Sequence, residues 1–521
     1  MTTTQAFLQN QQCARNQDQT MDEKQNLLEA NAHRSSSLMK HSGERRHFSE
    51  GPQFEATIIA LSHDGRGIAR PGGKTTFIEG ALPGEVVRFT YQKKRGRFDE
   101  GTVVEVLQAA PERVSPACVY YGICGGCQLQ HMSVSAQRQF KQNAFLEQLK
   151  AFADIVPAQL LPPLTGSDLA YRRRARLGVK YVAKKQDVLV GFREKNGRYL
   201  ADIQSCKILA PPFNTLIPTL RDLLGRLSIH QHIPQIEVAS GDTQATLIIR
   251  HMLPLSLEDR EQLLRFAQAH QLWLYLQPGG IDSIHRLWPQ DDNSQMVSYS
   301  LDLSQNPVLQ SSSRQSASEQ RSLANEKIKL QAEGSESGLD QALKLHFEPW
   351  DFIQINAEIN QKMVVQALNL LDLQPTDHIL ELFCGLGNFS LALARHCHAL
   401  TGVEGSADLV ERATANAQRN HIQNANFYVA DLFKSLTELT WAQQRYTHLL
   451  LDPPRSGAIE LIAYLSDWKP HHIVYVSCNP ATLARDASAL VKQGYYLHQA
   501  GLIDMFPHTH HSEWICLFKK R

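Results

Sequence analysis

A chain of 521 residues, 42% apolar and 20% charged, is ordinary in composition for a globular protein and long enough for two to four domains of about 100–200 residues each. Its 53 Lys and Arg balance 52 Asp and Glu, so nucleic-acid binding, where present, must come from local patches and not from net charge. The absence of an apolar run near the ~20 residues of a membrane span, and of an apolar signal core at the N-terminus, predicts a cytoplasmic protein with no membrane partner, in which cysteines serve metals or catalysis better than disulfides.

Residues 1–49 are rich in Gln, Asn, Ser and charge with almost no apolar periodicity, which predicts a disordered tail. From Phe54 to Val106 the pattern turns to short alternating strands: Ala56–Leu61, Thr76–Ile78, Val86–Phe89 and Gly101–Val106. Several such strands separated by Gly-rich turns predict a small closed barrel over 50–109. A basic run, Lys93-Lys94-Arg95-Gly96-Arg97, falls between the last two strands. Loops of this kind contact nucleic acid in OB-like barrels, although a solvated turn is the plainer alternative. His63-Asp64-Gly65-Arg66-Gly67-Ile68-Ala69-Arg70 and Gly80-Ala81-Leu82-Pro83-Gly84-Glu85 resemble a TRAM domain, an RNA-binding barrel appended to tRNA- and rRNA-modifying enzymes. The resemblance implies that this barrel binds RNA.

Three cysteines follow closely, Cys118, then Cys124-Gly125-Gly126-Cys127, with Cys206 far downstream. Glycines between two thiols let the backbone wrap a metal centre, and four thiolates suit an iron–sulfur cluster or a zinc ion. A redox dithiol of Cys124 and Cys127 is the third alternative. Tyr171-Arg172-Arg173-Arg174-Ala175-Arg176, taken as a strand, puts Arg172, Arg174 and Arg176 on one face, a concentration of charge suited to phosphate. Residues 304–338 are polar and poor in hydrophobes, between strand-like runs at Met296–Leu303 and Leu343–Phe347. They are expected to be a disordered insertion in a hairpin loop, which chain entropy tolerates cheaply. A central α+β domain over 110–345 is expected.

Beyond it, strand and helix patterns alternate: Ile379–Phe383, Leu400–Glu404, Ala425–Ala430, Thr447–Leu451 and His472–Val476 are the strands of a doubly wound parallel sheet over 346–521. Glu381-Leu382-Phe383-Cys384-Gly385-Leu386-Gly387-Asn388 spans the first strand end and a glycine turn where a cofactor can approach the backbone. Glu404 ends the second strand, where an acid can hold ribose hydroxyls, and Asp431 closes the third. The missing third glycine of a dinucleotide fingerprint points to S-adenosylmethionine rather than NAD. Asp452-Pro453-Pro454-Arg455 ends the fourth strand. The fifth ends in Ser477-Cys478-Asn479-Pro480, where proline stops the strand and leaves a thiol at the ligand-binding edge.

Phe352-Ile353-Gln354-Ile355-Asn356, the glycine turn, Asp452–Arg455, Ser477–Pro480 and His511-Ser512-Glu513 together resemble the RNA m5U methyltransferase family. With the barrel and the cysteines, the match covers nearly all of 50–521 and is nearest to enzymes acting on 23S rRNA. It implies an OB-like TRAM barrel, a central domain carrying a [4Fe–4S] cluster on Cys118, Cys124, Cys127 and Cys206, and a C-terminal Rossmann-like S-adenosylmethionine-dependent methyltransferase domain. It assigns Cys478 as nucleophile and Glu513 as base, with Gln354, Phe383, Asn388, Glu404, Asp431 and Asp452 lining the cofactor and uracil site. A monomer is expected. The alternatives are an m5U enzyme acting on another rRNA loop or on tRNA, or a non-catalytic RNA-binding assembly factor. A cytosine-C5 enzyme fits poorly, because only Cys478 stands in a suitable context.

Overall fold

The computed structural model describes residues 52–195, 197–290, 296–303 and 342–521. The expected tail at 1–49 and insertion at 304–338 lie outside them. Two compact units divide the chain, one reaching Ile59 and covering Ile68–Ala109, the other Ala60–Gly67 and Ala110–Arg521.

In the first unit, strands β1 (Gln53–Thr57), β2 (Thr76–Glu79), β3 (Val86–Lys94) and β4 (Asp99–Gln108) form a sheet. β3 runs antiparallel between β1 and β4, and β2 pairs parallel with β4. The alternation buries Ile78, Val87 and Phe89 in one core, while Arg88 points outward between Glu55 and Glu105. β3 and β4 run longer than the sequence pattern predicts, because Lys93 faces Glu100 and Lys94 faces Asp99 across the ladder. Lys94 also lies over the Tyr91 ring, 4.7 Å from its centroid, and Arg95 stands 3.4 Å from Glu100. The basic run is therefore a strand end and a hairpin tip, not a free loop.

The second unit opens with the cysteine segment and helix α1 (Val134–Ala153), capped by Ser133. A mixed sheet follows, with β5 (Arg174–Val182), β6 (Asp187–Gly191), β7 (Gln235–Ser240), β8 (Ala245–Arg250), β9 (Leu272–Gln277) and β10 (His285–Trp288) in the order β10-β9-β8-β7-β5-β6. Leu220, Leu223 and Leu224 of α2 (Ile217–Arg226) and Leu263 of α3 (Leu257–Ala269) share its core. Strands β11 (Val297–Leu301) and β12 (Leu343–Phe347) form the expected antiparallel hairpin. Its apolar face packs onto α4 (Ala357–Leu371) in the core of the catalytic layer. The expected boundary at 345/346 thus runs through this packing.

The catalytic sheet contains β13 (His378–Leu382), β14 (Ala399–Glu404), β15 (Ala425–Val429), β16 (His448–Leu451), β17 (His472–Ser477), β18 (Tyr495–Ile503) and β19 (Glu513–Lys520). The order is β15-β14-β13-β16-β17-β19-β18, with the short edge strand Gln159–Leu160 beyond β18. β13 to β17 are parallel, and β19 inserts antiparallel beside β17. The strict alternation of buried residues gives two cores. Ile379, Leu450, Val474 and Ile515 face one side, and Leu380, Leu449, Tyr475 and Trp514 the other. Both sides are covered by helices, so these strands read as continuous apolar runs. Among the described residues no helix is long and apolar enough to cross a membrane.

Candidate active site

The C-terminal ends of the parallel strands converge on a cavity of about 830 Å³. At the end of β13, Phe383 (φ 64°) and Gly385 (φ 56°) both take left-handed backbone, and Phe383 and Cys384 donate their N–H groups to Val403 O at 2.8 and 3.1 Å. Gly387 has φ 95°, and a Cβ there would meet Leu391 Cδ1 at 2.5 Å, so the turn requires glycine. Glu404 is held across this turn. Its Oε2 accepts from Gly385 N at 3.2 Å, and its Oε1 accepts from Gly405 N at 2.7 Å and Ser406 N at 3.1 Å. Asp431 Oδ1 accepts from Phe433 N at 3.1 Å, and this bond together with Lys434 holds the carboxyl below its usual range.

Cys478 stands between the end of β17 and Asn479, the N-cap of α5 (Pro480–Lys492). Asn479 also donates to Arg455 O at 2.9 Å, and Thr482 Oγ1 to the same oxygen at 3.3 Å. These bonds stitch the Asp452–Arg455 segment to the thiol. Burial pushes the Cys478 thiol up, as do the Glu513 and Asp452 carboxylates, while Arg455 opposes them. The helix N-terminus beside it also favours thiolate. Glu513 is the first residue of β19, paired with Ile503, and is only 4% exposed. Its Oε2 has no hydrogen-bond partner among the described residues. Burial, with the charge of Asp452 added, pushes its carboxyl up to about 8. Burial likewise pushes Asp452 up to about 7.

The cavity gathers Gln354, Phe383, Glu404, Asp431, Asp452, Cys478 and Glu513, all expected from sequence. Asn388 is the exception. Its Oδ1 accepts from Tyr299 Oη at 2.8 Å and from Asn360 Nδ2 at 2.9 Å, and its Nδ2 returns a bond to Asn360 Oδ1 at 2.8 Å. Its side chain braces the turn and is absent from the cavity lining. Phe352, Phe433, Arg455 and His511 line the cavity but were not singled out by sequence reasoning, although Phe352, Arg455 and His511 lie inside motifs it used. The arginine run also differs from expectation. Arg173 is buried, donating to Ile355 O and Gln354 O at 2.8 Å each and lying over the Tyr299 ring. Arg174 donates to Trp350 O at 2.9 Å, and Arg176 pairs with Glu237 at 2.8 Å. Much of this charge is therefore spent within the fold, and Arg173 positions the strand that presents Gln354.

Apart from this site, Cys118, Cys124, Cys127 and Cys206 line one small apolar cavity with Tyr120 and Phe192. Burial pushes the Cys124 thiol up to about 11 and Cys127 to about 12. Among the described residues, no three Cys, His, Asp or Glu side chains are grouped as ligands of a metal ion.

A family profile described as tRNA (Uracil-5-)-methyltransferase matches residues 326–521, and a TRAM domain profile matches 48–104. A curated 23S rRNA (uracil(1939)-C(5))-methyltransferase RlmD from Nitrosococcus oceani is 46% identical over 485 residues, 92% of this chain and 99% of the relative. Its namesake from Francisella tularensis subsp. novicida is 45% identical over 90% of this chain and 97% of its own. The chain belongs to the RNA m5U methyltransferase family, with these RlmD enzymes. The fold agrees with the crystal structure of Pyrococcus abyssi tRNA (uracil-54, C5)-methyltransferase in complex with S-adenosyl-L-homocysteine. That match has a TM-score of 0.63 and 20% identity over 89% of this chain and all of the other. Within the family frame, the parts that came from separate motifs, the glycine turn, Asp452–Arg455, Cys478 and Glu513, form one continuous wall.

Proposed function

We propose that the chain methylates C5 of a uracil in 23S rRNA, at a site of the 1939 type, with S-adenosylmethionine as methyl donor. The observation that carries this is a single cavity in which Cys478 and Glu513 face Glu404, Asp431 and Asp452. Uracil C5 is too weak a nucleophile to be methylated directly. Addition of the Cys478 thiolate to C6 breaks the C5–C6 double bond and moves its electrons toward the C4 oxygen, so that C5 becomes enolate-like. S-adenosylmethionine, when bound, would supply an electrophilic methyl group, its sulfonium sulfur keeping the bonding pair and leaving as the thioether S-adenosylhomocysteine. Glu404 would hold the ribose hydroxyls and Asp431 would lie near the adenine end, with Phe383, Gln354 and Asp452 lining the rest of the cofactor and uracil site. Once methylated, C5 carries both a proton and a methyl group. Glu513 takes the proton, the electrons re-form the C5–C6 bond, and the Cys478 sulfur leaves. A carboxylate raised to about 8 is a strong base for this step once it is ionised. The target base must leave its stack at a cost of roughly a few kcal/mol, and Phe352, 67% exposed at the rim, offers it an apolar face.

The other assignments form part of the same proposal. The barrel over 50–109 binds RNA, the domain over 110–345 carries a [4Fe–4S] cluster, and 346–521 transfers the methyl group, in a cytoplasmic monomer. The donor set fits a cluster: four thiols line one apolar cavity, and a metal centre would supply the positive charge that buried thiolates need. Four thiols would leave no iron of such a cluster free for a substrate, which suits a mainly structural role. The test is to map 5-methyluridine in the 23S rRNA of a strain lacking the protein. One methylated uridine should vanish and return on incubating that rRNA with purified protein and donor. An unchanged map overturns the substrate assignment.

A further inference from the structure

The loop 504–512 leads from β18 into Glu513, and one of its residues is gripped by three other parts of the chain. His508 has φ 66°, a left-handed conformation uncommon outside glycine and one that a β-branched residue strongly disfavours. Its carbonyl oxygen accepts the N–H groups of both Gln128 and Leu129 at 2.9 Å. Its own N–H donates to Gln137 Oε1 at 2.8 Å, and its Nε2 lies 3.3 Å from Asp168 Oδ2. Gln137, 1% exposed, donates to Leu129 O at 3.0 Å and Met132 O at 2.8 Å, so it joins the same two segments a second time. One residue earlier, Pro507 O accepts from Tyr171 Oη at 3.0 Å.

Gln128 is also the residue after Cys127. Its Nε2 donates to Gly125 O at 2.7 Å, between Cys124 and Cys127, and its carbonyl accepts from Tyr121 Oη at 2.6 Å. A continuous hydrogen-bonded path therefore runs from the cysteine segment through Gln128 to His508, five residues before Glu513. Glu513 needs such a path, since its Oε2 has no bond of its own to fix it. A base must lie within hydrogen-bond reach of the proton it removes, and a misplacement of about 1 Å can cost about a hundredfold.

We propose that His508 is a positioning residue for Glu513, and that the cysteine segment, through the Gln128 and Leu129 amides, is the anchor that sets it. This rests on the role given above to Glu513. His508→Val disfavours the left-handed backbone, His508→Asn tolerates it, and Gln137→Ala removes the acceptor for the His508 N–H. His508→Val and Gln137→Ala should bind RNA and donor with unchanged affinity and still form the Cys478–RNA bond. They should release it at least tenfold more slowly, so that a covalent band builds up on a denaturing gel, as for Glu513→Gln. His508→Asn should release close to the unaltered rate. In Cys127→Ser, amide hydrogen exchange across 504–512 should quicken at least tenfold while the barrel strands stay unchanged. A band in Glu513→Gln but in neither His508→Val nor Gln137→Ala overturns the positioning role and leaves the base assignment standing. No band in Glu513→Gln overturns that assignment and the proposal with it. Unchanged exchange in Cys127→Ser overturns the anchor.

Discussion

Glu513→Gln should make the ligand-free protein more stable, and increasingly so as pH rises. The carboxyl is buried, its Oε2 is unpartnered, and Asp452 stands near with like charge. In the folded protein it keeps its proton up to about pH 8, whereas an unfolded glutamate gives it up near 4.5. Stability contributed by holding that proton is complete below pH 4.5 and is lost progressively as pH climbs to about 8. The interval from 4.5 to 8, at about 1.4 kcal/mol per pH unit, sets an upper bound of about 5 kcal/mol on the loss. Glutamine has the same shape and does not ionise, so it escapes this loss while keeping much the same unpartnered polar atom. The variant should match the unaltered protein at pH 5 and exceed it by a few kcal/mol at pH 8. Urea unfolding at pH 5, 7 and 8.5, followed by tryptophan fluorescence, would read the difference. A gap that stays flat with pH, or reverses, would refute the claim that burial holds this carboxyl protonated.

Glu404→Gln should weaken donor binding tenfold to a hundredfold by calorimetry, since hydrogen bonds to a charged group contribute about 1.5–3 kcal/mol. RNA affinity should stay unchanged. Anaerobically purified protein should be brown with about four irons per chain, and Cys206→Ser should lose them. Stoichiometric zinc without iron would reassign the site.

The catalytic sheet was legible because strands buried on both faces write themselves as apolar runs bounded by turn residues. The expected Leu400–Glu404 is Ala399–Glu404, and His472–Val476 is His472–Ser477. The antiparallel pair β18 and β19 was not foreseen, although it places Glu513 opposite Cys478 at the same edge. Side-chain direction was less legible. Asn388 follows a turn with left-handed residues, whose rotation sends its amide to Asn360 and Tyr299 instead of the cavity. The arginine run has the composition of a phosphate-binding face, and only the fold reveals Glu237 and the carbonyls of Trp350 and Gln354 that occupy it. The hairpin strands read as strand-like runs on either side of a polar segment, but the partner of their apolar face is a tertiary fact.

The most direct test of the central claim is to offer the enzyme RNA with 5-fluorouridine at the target position, together with methyl donor. Fluorine at C5 cannot be removed as a proton, so the reaction should stop after addition at C6 and methyl transfer. Digestion and mass spectrometry should then find one peptide containing Cys478 joined to a methylated fluorouridine. The adduct should be absent for Cys478→Ala and present for Glu513→Gln. Attachment through any other residue, or a stable adduct from Cys478→Ala, would contradict the mechanism.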